Sequence, residues 1–124
     1  MTILAAEPQL YVTDMATALA FYTGKLGFTV ALSYGEPAFW AQVARDGGRL
    51  HLRPSGQRPV SDAFRAKEGD ALCATLTVDA AEPLFLEYQA AGVIFHQTLR
   101  TEPWGARTFI IADPDGNLIA FAGS

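Results

Sequence analysis

The chain has 124 residues, of which 50% are hydrophobic and 18% are charged, and its net charge is −4. This length and balance are typical of one compact domain, and they exclude both a disordered chain and a separate regulatory module. Because no window of five residues collects several lysines or arginines, the sequence predicts no nucleic-acid partner and no binding to an anionic membrane.

The N-terminal residues and the cysteine content indicate the cellular compartment. The apolar run over residues 3–6 has no basic segment before it and is too short for a signal peptide, and no stretch approaches membrane-spanning length. The single cysteine, Cys73, excludes an intrachain disulfide and a Cys-rich zinc site, as is typical of a reducing cytosol. We therefore expect a cytoplasmic protein.

The first part of the chain, module one at about residues 7–53, has the pattern β-α-β-β-β. A strand over 9–12 precedes Thr13 and Asp14, either of which can accept hydrogen bonds from the free amides of a starting helix. Apolar residues then recur at helical spacing, and Gly27 is typical of a helix C-terminus. Three strands separated by turn residues follow, at 28–33, 38–44 and 49–53.

A connection over residues 54–70 is rich in Pro, Gly, Ser and charge, which indicates an exposed segment with one short helical turn at 62–67. Its only large apolar residue is Phe64. This ring either packs the connection onto the body of the protein or forms a lid over a cleft.

Module two, at about residues 71–124, repeats the order of module one. It has a strand over 72–78, Asp79 as the predicted helix cap, a helix over 82–91 and Gly92 as its stop. Three strands follow, near 93–99, 108–112 and 118–122. Because neither module is large enough to bury its own sheet, the two must pair, and the concave side of the sheet is left facing a cavity. The repeat therefore predicts a cleft.

Five motifs carry a family resemblance: Val12-Thr13-Asp14, Phe21-Tyr22, Leu26-Gly27-Phe28, Pro103-Trp104-Gly105 and Asp113-Pro114-Asp115-Gly116-Asn117. They resemble the vicinal-oxygen-chelate superfamily, which includes glyoxalase I, extradiol dioxygenases and the bleomycin-resistance proteins. The resemblance implies an α+β fold over residues 1–124, with two βαβββ modules forming a U-shaped sheet cleft. The segment from Glu102 to Pro114 is most similar to the bleomycin-resistance proteins. That similarity implies sequestration of an antibiotic without catalysis by a metal-free homodimer.

Metal-using members of this superfamily carry one ligand on the first and one on the last strand of each module. The equivalent residues here are Glu7, His51, Cys73 and Ala120. Ala120 has no donor atom, and the remaining three mix a hard oxygen ligand with a soft thiolate, which is uncommon. We therefore expect no metal, no other cofactor and no catalysis. The alternative is a metal-dependent lyase, isomerase or dioxygenase that uses Glu7, His51 and Cys73.

Cys73 itself lies in an apolar run, where an unpaired cysteine is usually a small buried hydrophobe. The lesser alternative is a nucleophile with His51 as its base.

The ligand contacts are predicted from two polar and aromatic patterns. His51 alternates with Arg49 and Arg53, so one face of that strand is polar and faces either solvent or the cleft. Trp104 lies in a loop without a periodic core partner, where it either stacks on a planar ligand together with Trp40 or fills a loop or dimer contact. Arg107 pairs either with a ligand anion or with an acid such as Glu102. The predicted contacts are Trp40, His51, Arg53, Trp104 and Arg107.

Overall fold

The computed structural model describes residues 1–124, in eight strands and three helices. In chain order these are β1 (Gln9–Val12), α1 (Met15–Gly24), β2 (Thr29–Tyr34), β3 (Trp40–Arg45), β4 (Gly48–Pro54), α2 (Asp62–Lys67), β5 (Ala74–Thr77), α3 (Ala81–Ala90), β6 (Ile94–Thr101), β7 (Arg107–Ala112) and β8 (Leu118–Gly123). The order confirms two β-α-β-β-β modules joined by a connection that contains α2. No helix in this chain has the length and apolarity needed to cross a membrane.

Each module forms one four-stranded mixed sheet. Sheet one has the order β1-β4-β3-β2 and sheet two the order β5-β8-β7-β6, and in each the first strand of the module runs parallel to the last. Gln9 lies opposite His51 in sheet one, and Thr75 lies opposite Ala120 in sheet two. Each of these two pairs joins the first and last strands of its module at the same position, so the structure confirms that His51 and Ala120 occupy matching positions of the repeat.

The structure confirms three of the four helix-end residues that the sequence predicted. Gly27 and Gly92 both have φ of +76°, the left-handed conformation that ends a helix. Asp14 is the N-cap of α1 and accepts from the amides of Ala16 and Thr17.

The predicted cap of the second helix, Asp79, is wrong. Ala80 occupies the N-cap position of α3 and its side chain makes no capping bond. The amide of Ala81 instead donates to the carbonyl oxygen of Ser124 at 3.0 Å. The acceptor comes from the far end of the chain, which no local pattern reveals.

The two modules share one core of 20 buried residues, drawn from the helix-side faces of both sheets and from α1 and α3. Two fully buried helix tyrosines cross between the modules. The hydroxyl of Tyr22 donates to Oδ2 of Asp113 at 2.9 Å, and that of Tyr88 donates to the carbonyl oxygen of Leu26 at 2.9 Å. The modules are therefore held together by buried polar contacts as well as by apolar packing.

The turn between β7 and β8 is bonded to module one. Oδ1 of Asp115 accepts from the amide and the hydroxyl of Thr13 at 3.0 and 2.6 Å, and Nδ2 of Asn117 donates to the carbonyl oxygen of Tyr11 at 2.9 Å. The side chains of Asp115 and Asn117 are both buried. These residues of the 113–117 motif thus join the modules.

The helix α2 confirms the short helical turn predicted in the connection. Phe64 remains 49% exposed, whereas Nη2 of Arg65 donates to the carbonyl oxygen of Gly116 at 3.1 Å. In this structure Arg65 joins the connection to module two by hydrogen bonds.

Candidate functional site

Sheet one has one face against the core and one face free of it. On β4, Leu50 and Leu52 are fully buried, while Arg49, His51 and Arg53 point to the opposite side by alternation. We call that side the open face of sheet one. It carries the polar side of β4 that the sequence predicted.

An aromatic row crosses the open face. In the strand register, Tyr34 on β2 lies opposite Trp40 on β3, and Arg53 on β4 lies opposite Tyr11 on β1. Continuing the β3–β4 register by one residue from the pair Ala41 and Leu52 places Trp40 opposite Arg53. The rings of Tyr34 and Trp40 stack with centroids 5.6 Å apart, and both tyrosines are about half exposed. The row therefore runs Tyr34, Trp40, Arg53, Tyr11.

A polar row lies beside the aromatic row. Nε2 of Gln42 donates to Oε1 of Glu7 at 2.6 Å, and Nε2 of His51 lies 2.9 Å from the same oxygen. A carboxylate only accepts, so this His51 nitrogen is the donor. The hydrogen bond from His51, followed by that from Gln42, holds the pKa of Glu7 below its ordinary value. The ring of Trp40 meets His51 edge-on, with centroids 5.1 Å apart, and so joins the two rows.

Within one chain, the candidate metal ligands do not form the metal site that metal-using relatives carry. Glu7 and His51 are in contact, but Cys73 is half-buried in module two, where its Sγ lies 3.5 Å from Oδ1 of Asn117. Nowhere do three His, Cys, Asp or Glu side chains of the chain gather as a metal would require. Burial raises the pKa of the Cys73 thiol, which is opposite to the shift that activates a nucleophile.

Trp104 belongs to the loop between β6 and β7 and is 76% exposed. It makes no ring contact with Trp40 within the chain, and Trp40 stacks instead on Tyr34. A single chain thus brings Trp40, His51 and Arg53 together but leaves Trp104 apart.

Arg107 lies on the core side of sheet two, on the same face as Phe109. Its Nη1 donates to Oε2 of Glu82 on α3 at 2.6 Å. Glu102 instead accepts from Nε of Arg100 at 2.7 Å, and this hydrogen bond, together with one from Thr108, lowers the pKa of Glu102. Arg107 therefore pairs with a helix residue rather than with the acid suggested by the sequence.

A groove of about 970 Å³ lies between the β3–β4 hairpin and the β5–α3 segment. Apolar side chains such as Phe28, Leu76 and Leu84 line it, together with the ion pair of Arg45 and Glu87. None of the five predicted ligand contacts lines this groove.

Comparison with known proteins identifies the family. Residues 4–121 match the Glyoxalase/Bleomycin resistance protein/Dioxygenase superfamily. The chain belongs to this family. A bleomycin resistance protein of Geobacillus stearothermophilus is 31% identical over 132 residues, covering 96% of each chain, and one of Staphylococcus aureus gives the same values.

Solved structures share this fold. The fold matches TioX from Micromonospora sp. ML1 with a TM-score of 0.75 and 26% identity, covering 94% of this chain and 95% of that one. It also matches a bleomycin-binding protein from Streptomyces verticillus, solved with copper(II)-bleomycin, with a TM-score of 0.77 and 23% identity over 100% and 98% of the chains. The predicted family and two-module α+β fold are confirmed.

Three residues of the open face were not among the ligand contacts predicted from the sequence: Tyr11, Tyr34 and Gln42. Gln42 alternates with Trp40 on β3, and Tyr11 alternates with the buried Leu10 and Val12 on β1. Alternation along these strands was the available signal for both. Tyr34 carries the same signal, because it continues the alternation of Val30 and Leu32 along β2, although all six residues of that strand are exposed.

Proposed function

We propose that this protein binds and sequesters a small antibiotic-like molecule on the open face of sheet one, as a homodimer and without catalysis. The observation that carries the proposal is the aromatic row. Three rings and one guanidinium group lie side by side on a sheet whose other face is packed against the core along β1, β3 and β4. Aromatic surface with a few placed polar groups is typical of small-molecule sites.

The family supports the choice of ligand class. Relatives at 31% identity are bleomycin resistance proteins, and glycopeptide antibiotics are therefore the first compounds to examine. The side chains favour binding over chemistry. Glu7, Gln42 and His51 are bonded to one another, and the thiol of Cys73 has a raised pKa. The contact between Glu7 and His51 is the one observation that favours the metal-dependent alternative.

A homodimer completes the proposed site. The open face of sheet one is uncovered in a single chain, and the highly exposed Trp104 has no ring partner in its own chain. We propose that Trp104 of a second copy closes over the face that carries Trp40. Arg107 keeps its proposed ligand role only if the ligand displaces Glu82 from its guanidinium group.

The proposal predicts that Trp40→Ala and Trp104→Ala both weaken binding of bleomycin, used as the trial ligand. Loss of a stacking ring in a desolvated site costs about 2 kcal/mol or more, so we expect affinity to fall by about 30-fold in each variant. Isothermal titration calorimetry measures the affinity, and urea unfolding checks that both variants stay folded. Leu86→Ala, which shortens an exposed apolar side chain on α3, is the control and should leave affinity unchanged.

Two further measurements complete this test. Light scattering should give twice the chain mass of 13.3 kDa. Elemental analysis of protein purified without chelator should find no stoichiometric metal. Unchanged affinity in both tryptophan variants would refute the site, and a stoichiometric transition metal would favour the metal-dependent alternative.

A further inference from the structure

We propose that the ligand of this face is an aromatic molecule that carries a carboxylate, and that Arg53 binds this carboxylate. The inference rests on the proposed function and specifies the chemical class of its ligand; bleomycin, the trial ligand above, tests the aromatic row and not the carboxylate assignment. It comes from the arginine partners, the charge of the open face and the position of Arg53 in the aromatic row.

Arg53 is the only arginine of the chain whose side chain makes no hydrogen bond. Four others pair with carboxylates: Arg45 with Glu87, Arg58 with Asp62, Arg100 with Glu102 and Arg107 with Glu82. Arg65 donates to backbone carbonyl groups, and Arg49 donates to Oε1 of Gln42 at 3.3 Å. Arg53 is nevertheless not at the tip of a loop but on β4, a central strand of sheet one.

The open face has a positive charge on a chain that is negative overall. Arg49 and Arg53 are both on it, and the four strands of sheet one contain no Asp or Glu, whereas the carboxylate of Glu7 lies just before β1. Glu7 already accepts from His51 and Gln42 in the polar row, so it is not the partner of Arg53. The net charge of the whole chain is −4, and this local excess of guanidinium groups is therefore specific to the face.

The neighbours of Arg53 suit an aromatic anion. Trp40 and Tyr11 flank it on the adjacent strands, which lie about 5 Å away on either side. Guanidinium groups pack their planes against aromatic rings and keep their N–H groups available, and the fork of these donors matches a carboxylate. A ligand ring beside the Tyr34 and Trp40 rings would place a carboxylate substituent within reach of Arg53.

Three probes with one ring system test the charge preference: 2-naphthoate, 2-naphthamide and 2-naphthylmethylammonium. Their affinities are measured by calorimetry at low salt for the wild-type protein, Arg53→Gln and Arg58→Gln. Arg58 is an exposed arginine in the connection and serves as the matched control.

We expect 2-naphthoate to bind most tightly and the ammonium probe most weakly. Because a hydrogen bond to a charged group at a partly exposed site is modest in water, Arg53→Gln should lower 2-naphthoate affinity about tenfold. The same variant should leave the 2-naphthamide affinity nearly unchanged.

The outcomes separate this inference from the proposed function. If all three probes bind equally, or the ammonium probe binds best, and Trp40→Ala still weakens them, the carboxylate assignment is wrong and the aromatic site stands. An equal loss of 2-naphthoate affinity in Arg53→Gln and Arg58→Gln also overturns the assignment, because it indicates a general charge effect. If no probe binds the wild-type protein, the carboxylate assignment is refuted, whereas the aromatic site is refuted only if the tryptophan variants also leave bleomycin affinity unchanged.

Discussion

The carboxyl group of Asp113 is buried between the modules, and burial raises its pKa. Hydrogen bonds from Asn117, from Tyr22 and from the amide of Asp115 act in the opposite direction. A folded-state pKa above the unfolded value means that the folded protein binds a proton more tightly. Ionisation of Asp113 therefore lowers the free energy of unfolding as the pH rises from the unfolded pKa to the folded pKa. The donors around it limit this loss at neutral pH.

Tyr22→Phe is predicted to destabilise the protein by about 1–3 kcal/mol at pH 7, because a buried carboxylate loses a donor. The loss should be smaller in acid, below the pKa of Asp113, where the carboxyl group is neutral and its burial without this donor costs less. Urea unfolding at the two pH values measures the difference.

The matched variant is Tyr88→Phe. Its hydroxyl donates to a neutral carbonyl group, and burial raises the Tyr88 pKa to about 12, so neither partner titrates in this range. We expect a loss of about 1 kcal/mol that does not change with pH. If both variants showed the same pH dependence, the assignment of the effect to Asp113 would be wrong.

At the scale of elements, the two modules have the same order of helices and strands but different helix starts. The side chain of Asp14 caps α1, whereas α3 begins without a side-chain cap and uses the carbonyl oxygen of Ser124. Asp14 and Asp79 both lie shortly before a helix of ten residues. Their different roles can therefore be compared within one protein.

Asp14→Ala is predicted to lower the free energy of unfolding by about 1 kcal/mol, since two amides of the first turn lose their acceptor. Asp79→Ala should change it by less than about 0.5 kcal/mol, as expected for a surface substitution. Thermal and urea unfolding measure both. Equal losses in the two variants would show that Asp79 stabilises α3 in some other way.

At the scale of the whole molecule, one core joins the modules. The 20 buried residues come from both modules, and polar contacts such as Thr13 with Asp115 cross between them. The ion pair of Arg45 and Glu87 also crosses, at 2.6 Å, and the hydrogen bond from Arg45 lowers the pKa of Glu87. Both side chains of this pair are substantially exposed, so its contribution is small. Module two adds only a small buried cluster of Ile110, Leu118 and Ala120 to this shared core, so the two modules should unfold together.

Two single-tryptophan variants test this cooperativity. Trp40→Phe leaves the tryptophan of module two, and Trp104→Phe leaves that of module one. At equal protein concentration, urea unfolding followed by fluorescence should match unfolding followed by circular dichroism within each variant, because all probes report one transition. If either remaining tryptophan gave a midpoint different from that of circular dichroism, the modules would unfold separately.

The sequence by itself determined the features that depend on local chemistry. Helical and strand periodicity gave the order of elements, and the left-handed conformation required at Gly27 and Gly92 marked two helix ends. The repeat also identified His51 and Ala120 as equivalent, which the register confirms. Each of these depends on residues close in sequence or on matching two copies, and both are visible in one chain.

Only the tertiary structure decided which side chains meet. Glu7 is hydrogen-bonded to His51, 44 residues away in sequence, and to Gln42, 35 residues away. Arg107 donates to Glu82, which is 25 residues away. Such partners depend on how sheets and helices pack, and residue type alone leaves several candidates for each charge. The same reason explains why Arg53 could be assigned to a polar strand face from sequence, whereas its lack of a partner and its place between Trp40 and Tyr11 required the sheet register.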